Sequence, residues 1–207
     1  MQLRRWVTDL VDLGALGSGA YRLRSEPVRL RVLMDSCLEA FAERASRKGL
    51  ALESGLRAGV PPLIYADEAR LRQVLNVLLD NAVRLTASGS ISLTAMLASA
   101  PPAGEVKGGT AAGSWVELHL ADTGPGIGAV DQDKLLRLFR VLENGDRAAG
   151  SGLSIAIAAR WCAAMGGCLR IESDGESGST FVVCLPVGQA ADPDPVGNPD
   201  LSPPMPA

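Results

Sequence analysis

The stretch Asp67–Thr86, DEARLRQVLNVLLDNAVRLT, decides how the rest of the chain is read. It holds no glycine or proline, and its apolar residues recur at helical period. Leu71, Val74, Leu75, Leu78, Leu79 and Ala82 fall on one apolar face. At about 100° per residue, Arg70, Gln73, Asp80, Asn81 and Arg84 gather on the other side. A solvated surface helix carries a mix of Lys and Glu there. This one carries amides and arginines, with Asp80 beside Asn81. Val77 interrupts that polar stripe, and Asn76 lies at its edge. Asp67 is placed to act as the N-cap.

Upstream, Leu63–Tyr65 and the partly alternating Leu50–Arg57 read as strands. Pro27 is expected to open a helix running to about Lys48, with Gly49 as its stop and Leu30, Leu33, Met34, Cys37, Leu38 and Phe41 on its apolar face. Leu3, Trp6, Val7, Leu10 and Leu13 make a heptad-like stripe on a short helix that Gly14, Gly17 and Gly19 end. Such a seam calls for a partner helix or a second copy of the chain, a possible homodimer.

Downstream, Ile91, Leu93 and Ala95 alternate as a strand, and Trp115–Ala121 is its partner across a long Gly/Ala/Pro-rich loop at 98–114. ADTGPGIG follows at 121–128, then a helix from about Asp131 to Arg140. GSGL at 150–153 opens an apolar helix to Met165, which Gly166-Gly167 ends. Cys168–Ser173 and Thr180–Leu185 form a hairpin across Asp174-Gly175. The tail from Val187, rich in Pro, Asp and Gly, has no periodicity and reads as disordered. Helices and strands mix without regular βαβ alternation. The fold class expected is therefore α+β, a two-layer α/β sandwich, rather than a doubly wound sheet.

The 207 residues are enough for one full domain with appendages. With 47% hydrophobic and 21% charged residues, the chain has the material for a packed core. A net charge of −3 argues against nonspecific nucleic-acid binding, and 4% aromatic residues are too few for base-stacking platforms. Cys37, Cys162, Cys168 and Cys184 form no CxxC pair and lie in apolar settings, so buried, reduced thiols are expected. The N-terminus lacks the h-region of a signal peptide, and no apolar run approaches the ~18 residues of a membrane span. The chain as given reads as cytoplasmic, with no membrane segment.

Three segments carry chemistry: the Asn-bearing helix, Asp122–Gly128, and Gly150–Leu153 at a helix start. Glycines at a strand-to-helix turn let a backbone approach a ligand closely, and N–H groups at a helix start attract phosphate. A carboxylate at a strand end can accept the exocyclic amine of a purine. An Asn oxygen suits Mg2+, which also takes phosphate oxygens, and Arg84, one turn on from Asn81, can reach the same phosphates. Together they describe a magnesium–ATP site.

Two other motifs compete with this reading. GPGIGA at 124–129 satisfies G-x-G-x-x-A, with Glu143 near the offset of a dinucleotide-binding acid, but no second apolar strand leads to Glu143. Asp122-Thr123-Gly124 has the form of an aspartic-protease motif, but only one such triplet is present.

In order, DEARLRQVLNVLLDNAVRLT, ADTGPGIG, LLRLF, GSGLSIAI, MGG and GSTF resemble the ATP-binding catalytic domain of sensor histidine kinases, of the Bergerat (GHKL ATPase) fold. The resemblance covers about residues 25 to 186, and residues 3–24 resemble the end of the dimerisation hairpin and its linker. It implies three parts: 1–24 a partial hairpin helix, 25–187 the ATP-binding domain, and 188–207 a tail. It implies that Asn81 is the Mg2+ ligand, that Arg84 faces phosphate and that Asp122 reads the adenine amino group. Gly124, Gly126 and Ile127 would lie beside the base. Gly150, Ser151, Gly152 and Leu153 would lie near the phosphates, and Thr180 would help to hold Asp122 or its water.

The implied activity is transfer of the ATP γ-phosphoryl group to a histidine. The partners implied are a phosphoacceptor histidine domain and a response regulator receiver domain. Residues 140–150 would form a short nucleotide lid. Four features depart from the family. Val77 stands where many members carry Asn or Glu, Leu136 replaces an aromatic while Phe139 keeps the next, and Ser154 replaces a glycine. The phosphoacceptor histidine is missing. The one histidine, His119, alternates with apolar strand positions and reads as solvent-side. The alternative reading is a degenerate module that binds nucleotide weakly and serves as a docking or regulatory partner.

Overall fold

Val116, Leu118 and Leu120 alternate with Trp115, Glu117 and His119, and the strand they form, β5 (Trp115–Asp122), takes the centre of a five-stranded sheet. The chain is described here from a computed structural model over residues 22–98, 114–143 and 153–188. The sheet order is β2 (Ala51–Leu56), β4 (Ser90–Ala98), β5, β7 (Ser179–Pro186), β6 (Cys168–Glu172). Only the β2–β4 pair is parallel. A parallel pair needs a crossing connection, and β3 (Leu63–Ala66) and α3 (Glu68–Leu85) make it. A separate two-stranded sheet pairs β1 (Glu26–Arg29) with β3.

The helices α1 (Leu30–Glu39), α3 and α5 (Leu153–Ala164) lie against one face of the large sheet, giving the two layers. The alternation of β5 sets that division. Val116, Leu118 and Leu120 join the core with the apolar face of α3, while Trp115 packs on the opposite face with Val182 and Cys184. On α3, Leu71, Leu75, Leu78 and Leu79 are fully buried. Burying one such leucine is worth roughly 1.5–3 kcal/mol, so α3 is held by its packing and not by helix propensity.

The first helix differs from the sequence expectation. Pro27 does not open it but sits in β1, opposite Tyr65. Val28 is the one inward residue of that strand, which leaves Pro27, without an N–H, outside the core. The helix begins at Leu30 and breaks at Ala40–Phe41. There Phe41 N–H donates to Leu38 O at 3.0 Å, and the chain resumes as α2 (Ala42–Ser46). The helix α4 spans Ala129–Glu143, longer at both ends than its periodicity indicates. The stripe Leu3–Leu13, nearly all of the loop 98–114, Gly150–Gly152 and the tail past Gly188 lie outside the described residues, as do the side chains of Leu136 and Phe139.

All four cysteines are free and buried. Burial pushes the Cys162 thiol far above its ordinary range, and burial also raises Cys37. Among the described residues no helix is long and apolar enough to cross a membrane, and no group of three His, Cys, Asp or Glu side chains could hold a metal.

Candidate functional site

The helix α3 is started by Asp67, whose Oδ1 accepts the Arg70 N–H at 3.1 Å while Oδ2 accepts the Arg24 N–H at 3.1 Å. Along the helix the polar stripe divides. The Arg70 guanidinium lies 4.1 Å from the ring centre of Trp161 on α5 and donates to Gln73. Asp80 accepts from Arg44 of α2 at 2.6 Å. Asn81 and Arg84, near the end of the stripe, bond to each other.

Asn81 is buried, and its amide is oriented from both sides. Its Nδ2 donates to Val77 O at 2.9 Å, and its Oδ1 accepts from Arg84 Nη2 at 2.6 Å. The Val77 side chain packs against the core. It therefore contributes a backbone carbonyl to Asn81 and no side-chain oxygen to the stripe.

The chain leaves α3 at Thr86, which is fully buried, and Thr86 Oγ1 donates to Asp122 Oδ1 at 3.4 Å. Asp122 closes β5. Its Oδ1 also accepts the Gly124 N–H at 2.8 Å, and its Oδ2 accepts the Ser179 hydroxyl at 3.0 Å. On β7 the hydroxyl that reaches Asp122 is thus Ser179's and not Thr180's. Side chains alternate along β7, with Phe181 and Val183 in the core and Val182 and Cys184 on the outer face. Thr180 falls with the outer set, opposite Ala121 and Glu172, while Ser179 lies opposite Asp122. That alternation was the available signal, since a serine one residue before Thr180 shares the parity of Phe181.

The loop after Asp122 is braced by the β6–β7 turn. Ile127 N–H donates to Ser173 Oγ at 2.9 Å, and Gln132 Nε2 donates to Ile127 O at 2.6 Å and to Ser173 O at 3.0 Å. Asp174 ties that turn. Its carboxylate accepts the Ser177 hydroxyl and the Glu176 and Ser177 N–H groups, which hold its pKa down at about 2. The protein itself demands glycine here. At Gly126, with φ +76°, a Cβ would lie 2.8 Å from Glu176 N, and at Gly124 it would lie 2.6 Å from Asp122 Oδ1. Leu153 begins α5 and packs against the core.

His119 sits on the opposite sheet face from Asp122. Its Nε2 lies 2.9 Å from Glu117 Oε2, and Glu117 Oε1 accepts from Arg170 at 2.9 Å. Thr86, Gly124 and Ser179 therefore meet at Asp122, where the end of α3, the end of β5 and the start of β7 come together, and Asn81 and Arg84 lie on the last turns of α3. Gly150, Ser151 and Gly152 lie outside the described residues.

A helix bearing a buried amide, a strand-end carboxylate held by three donors and a braced glycine loop, set on a five-stranded sheet with helices on one face, match the GHKL ATPase fold. The chain belongs to the histidine kinase-, DNA gyrase B- and HSP90-like ATPase family, whose model matches residues 66–189. It is 29% identical over 177 residues to the signal transduction histidine-protein kinase BarA of Escherichia coli K12, covering 84% of this chain and 18% of BarA. It is 30% identical over 205 residues to Histidine kinase 5 of Arabidopsis thaliana, covering 90% of this chain and 22% of that protein. The chain thus spans about a fifth of the length of these relatives.

Among solved structures, full-length ShkA in complex with AMPPNP superposes with a TM-score of 0.71 at 32% identity, over 93% of this chain and 37% of ShkA. The Acinetobacter baumannii histidine kinase AdeS gives 0.69 at 24% identity, over 90% of this chain and 79% of AdeS, a likeness of fold. The chain is homologous to the ATP-binding catalytic domain of sensor histidine kinases.

Proposed function

We propose that this chain binds ATP with Mg2+ and directs its γ-phosphoryl group to a histidine on a phosphoacceptor domain, with a receiver domain as the next acceptor. On this reading residues 25–187 are the ATP-binding unit, flanked by a partial hairpin helix at 1–24 and a tail at 188–207. The observation that carries it is the Asp122 carboxylate, fixed by Thr86, Gly124 and Ser179 at the end of the helix that bears the bonded pair Asn81 and Arg84.

The residues fit the group. Each carboxylate oxygen has two lone-pair directions, so Asp122 keeps acceptor capacity for an adenine amine after its three internal bonds. Mg2+ commonly takes one or two protein oxygens and completes its shell with phosphate and water, and Asn81 Oδ1 is such an oxygen. Arg84 brings N–H donors to the same place. When bound, the magnesium nucleotide supplies the transferable group and the cation that offsets its charge. The chain's own residues read the base, orient the metal-facing amide and position the phosphates.

The complex with AMPPNP of the similar protein ShkA supports this reading. A docking or regulatory role with weak nucleotide binding is the second reading, and Val77 favours it by offering no oxygen beside Asn81. Calorimetric titration with a non-hydrolysable ATP analogue and Mg2+ separates the two. Saturable binding that Asp122→Asn abolishes supports the first, and no heat at millimolar nucleotide ends it. Given binding, γ-labelled ATP with a separately supplied hairpin domain tests the transfer.

A further inference from the structure

The Lys48 ammonium stands at the end of α3, although it comes from the loop after α2. Its Nζ donates to Val83 O at 2.7 Å, Arg84 O at 2.9 Å and Thr86 O at 3.1 Å. An ammonium has three hydrogens, and three carbonyls take them. The last carbonyls of a helix have no partner within it, and a cation there also opposes the helix dipole. Gly49, with φ +68°, turns the chain straight after Lys48.

We infer that Lys48 is a positioning residue for the adenine end of the nucleotide site. Its path has two steps. Lys48 fixes the carbonyl of Thr86, and the hydroxyl of that buried threonine donates to Asp122 Oδ1, where the Gly124 N–H also donates. Lys48 meets the site at the backbone carbonyls of Arg84 and Thr86. It sets the exit angle of α3 and thereby the place of one of the three donors that hold the carboxylate. The inference rests on the proposed reading of Asp122 as the base-recognising group, but its geometric half is testable without nucleotide.

Hydrogen exchange of the Gly124 amide reports the donor set of Asp122 in the free chain. In Lys48→Met, that amide is expected to exchange on the order of tenfold faster, the loss of roughly one hydrogen bond, while core amides such as Leu118 keep their rate. Affinity for an ATP analogue falls by a similar factor. In a double-mutant cycle with Thr86→Val the two losses do not add, because both act through one hydroxyl. Lys48→Gln, which keeps a donor without the charge, carries the same measurements if Lys48→Met does not fold. Unchanged Gly124 exchange overturns the inference, and so do fully additive losses. A wild-type chain that binds no nucleotide refutes the functional reading instead, and the exchange result still decides the role of Lys48.

Discussion

Ser179 and Thr180 are adjacent hydroxyl residues on opposite faces of β7, and they separate two accounts of how Asp122 is held. Ser179 is buried, with its hydroxyl 3.0 Å from Asp122 Oδ2. Hydrogen bonds to a charged acceptor are worth about 1.5–3 kcal/mol. Asp122 is half-buried, so water replaces part of what Ser179→Ala removes. The expected cost is therefore near the lower limit, about 1.5 kcal/mol, or roughly tenfold in affinity if the carboxylate loses its aim. Thr180→Ala trims a side chain on the outer face and is expected to change stability by no more than about 0.5 kcal/mol, with nucleotide affinity unchanged. Calorimetric titration of both variants with a non-hydrolysable ATP analogue and Mg2+, beside urea unfolding curves, measures both quantities. If Thr180→Ala weakens binding as much as Ser179→Ala, the face assignment of β7 is wrong and the reasoning fails.

Val77→Asn places an amide one turn before Asn81, and is expected to raise nucleotide affinity or turnover and to make binding more dependent on Mg2+; an unchanged or lower value would show that the position is not a missing ligand. Asp67→Ala removes the acceptor of the Arg70 and Arg24 N–H groups, and is expected to cost about 1–2 kcal/mol in urea unfolding, whereas a loss under about 0.5 kcal/mol would deny it the cap role. Asp174 has a folded pKa of about 2, below its ordinary value of 3.8, so the turn's contribution to stability is fully present above that ordinary value and is lost as pH falls toward 2. A side-chain NMR titration is expected to show its midpoint near 2, and a midpoint near 3.8 would mean that the turn is open in solution.

The period of apolar residues made the helix over Asp67–Thr86 legible because packing and pattern agree there: the face read from the sequence is the face that is buried. The strands after it were legible for the same reason. The helix expected from Pro27 failed because apolar spacing alone does not locate a start. Pro27 suits both a first helical turn and an extended segment, and pairing with β3 decides for the strand. At the site, Asp122 was legible as a carboxylate between an apolar strand and glycines. Two of its three donors were not: Gly124 lies only two residues on, but Thr86 and Ser179 come from parts of the chain far from Asp122 in sequence. Lys48 was hidden for a related reason: a lysine before a glycine looks like a solvated end, and its role appears only when α2 is laid beside the end of α3. The glycines were read as room for a ligand, yet Gly124 and Gly126 already have neighbours in the protein that would meet a Cβ.

On the proposed reading, in which Asp122 takes the base and Asn81 the metal, the two ends of the site are built differently, and this bears on how far Val77 undermines it. At the base end, Asp122 is held by donors from three elements, two of them residues buried in the fold, so moving any one of them disturbs packing. At the metal end, Asn81 is aimed by a backbone carbonyl four residues back and by an exposed arginine three residues on, both on the same helix. Such bonds within one helix are worth about 1 kcal/mol each and do not tie Asn81 to the rest of the fold. Replacing a side-chain oxygen with Val77 therefore thins the adjustable end and leaves the rigid end intact. On that reading the chain is expected to keep its recognition of the base, and what it stands to lose is the metal's share of phosphate binding.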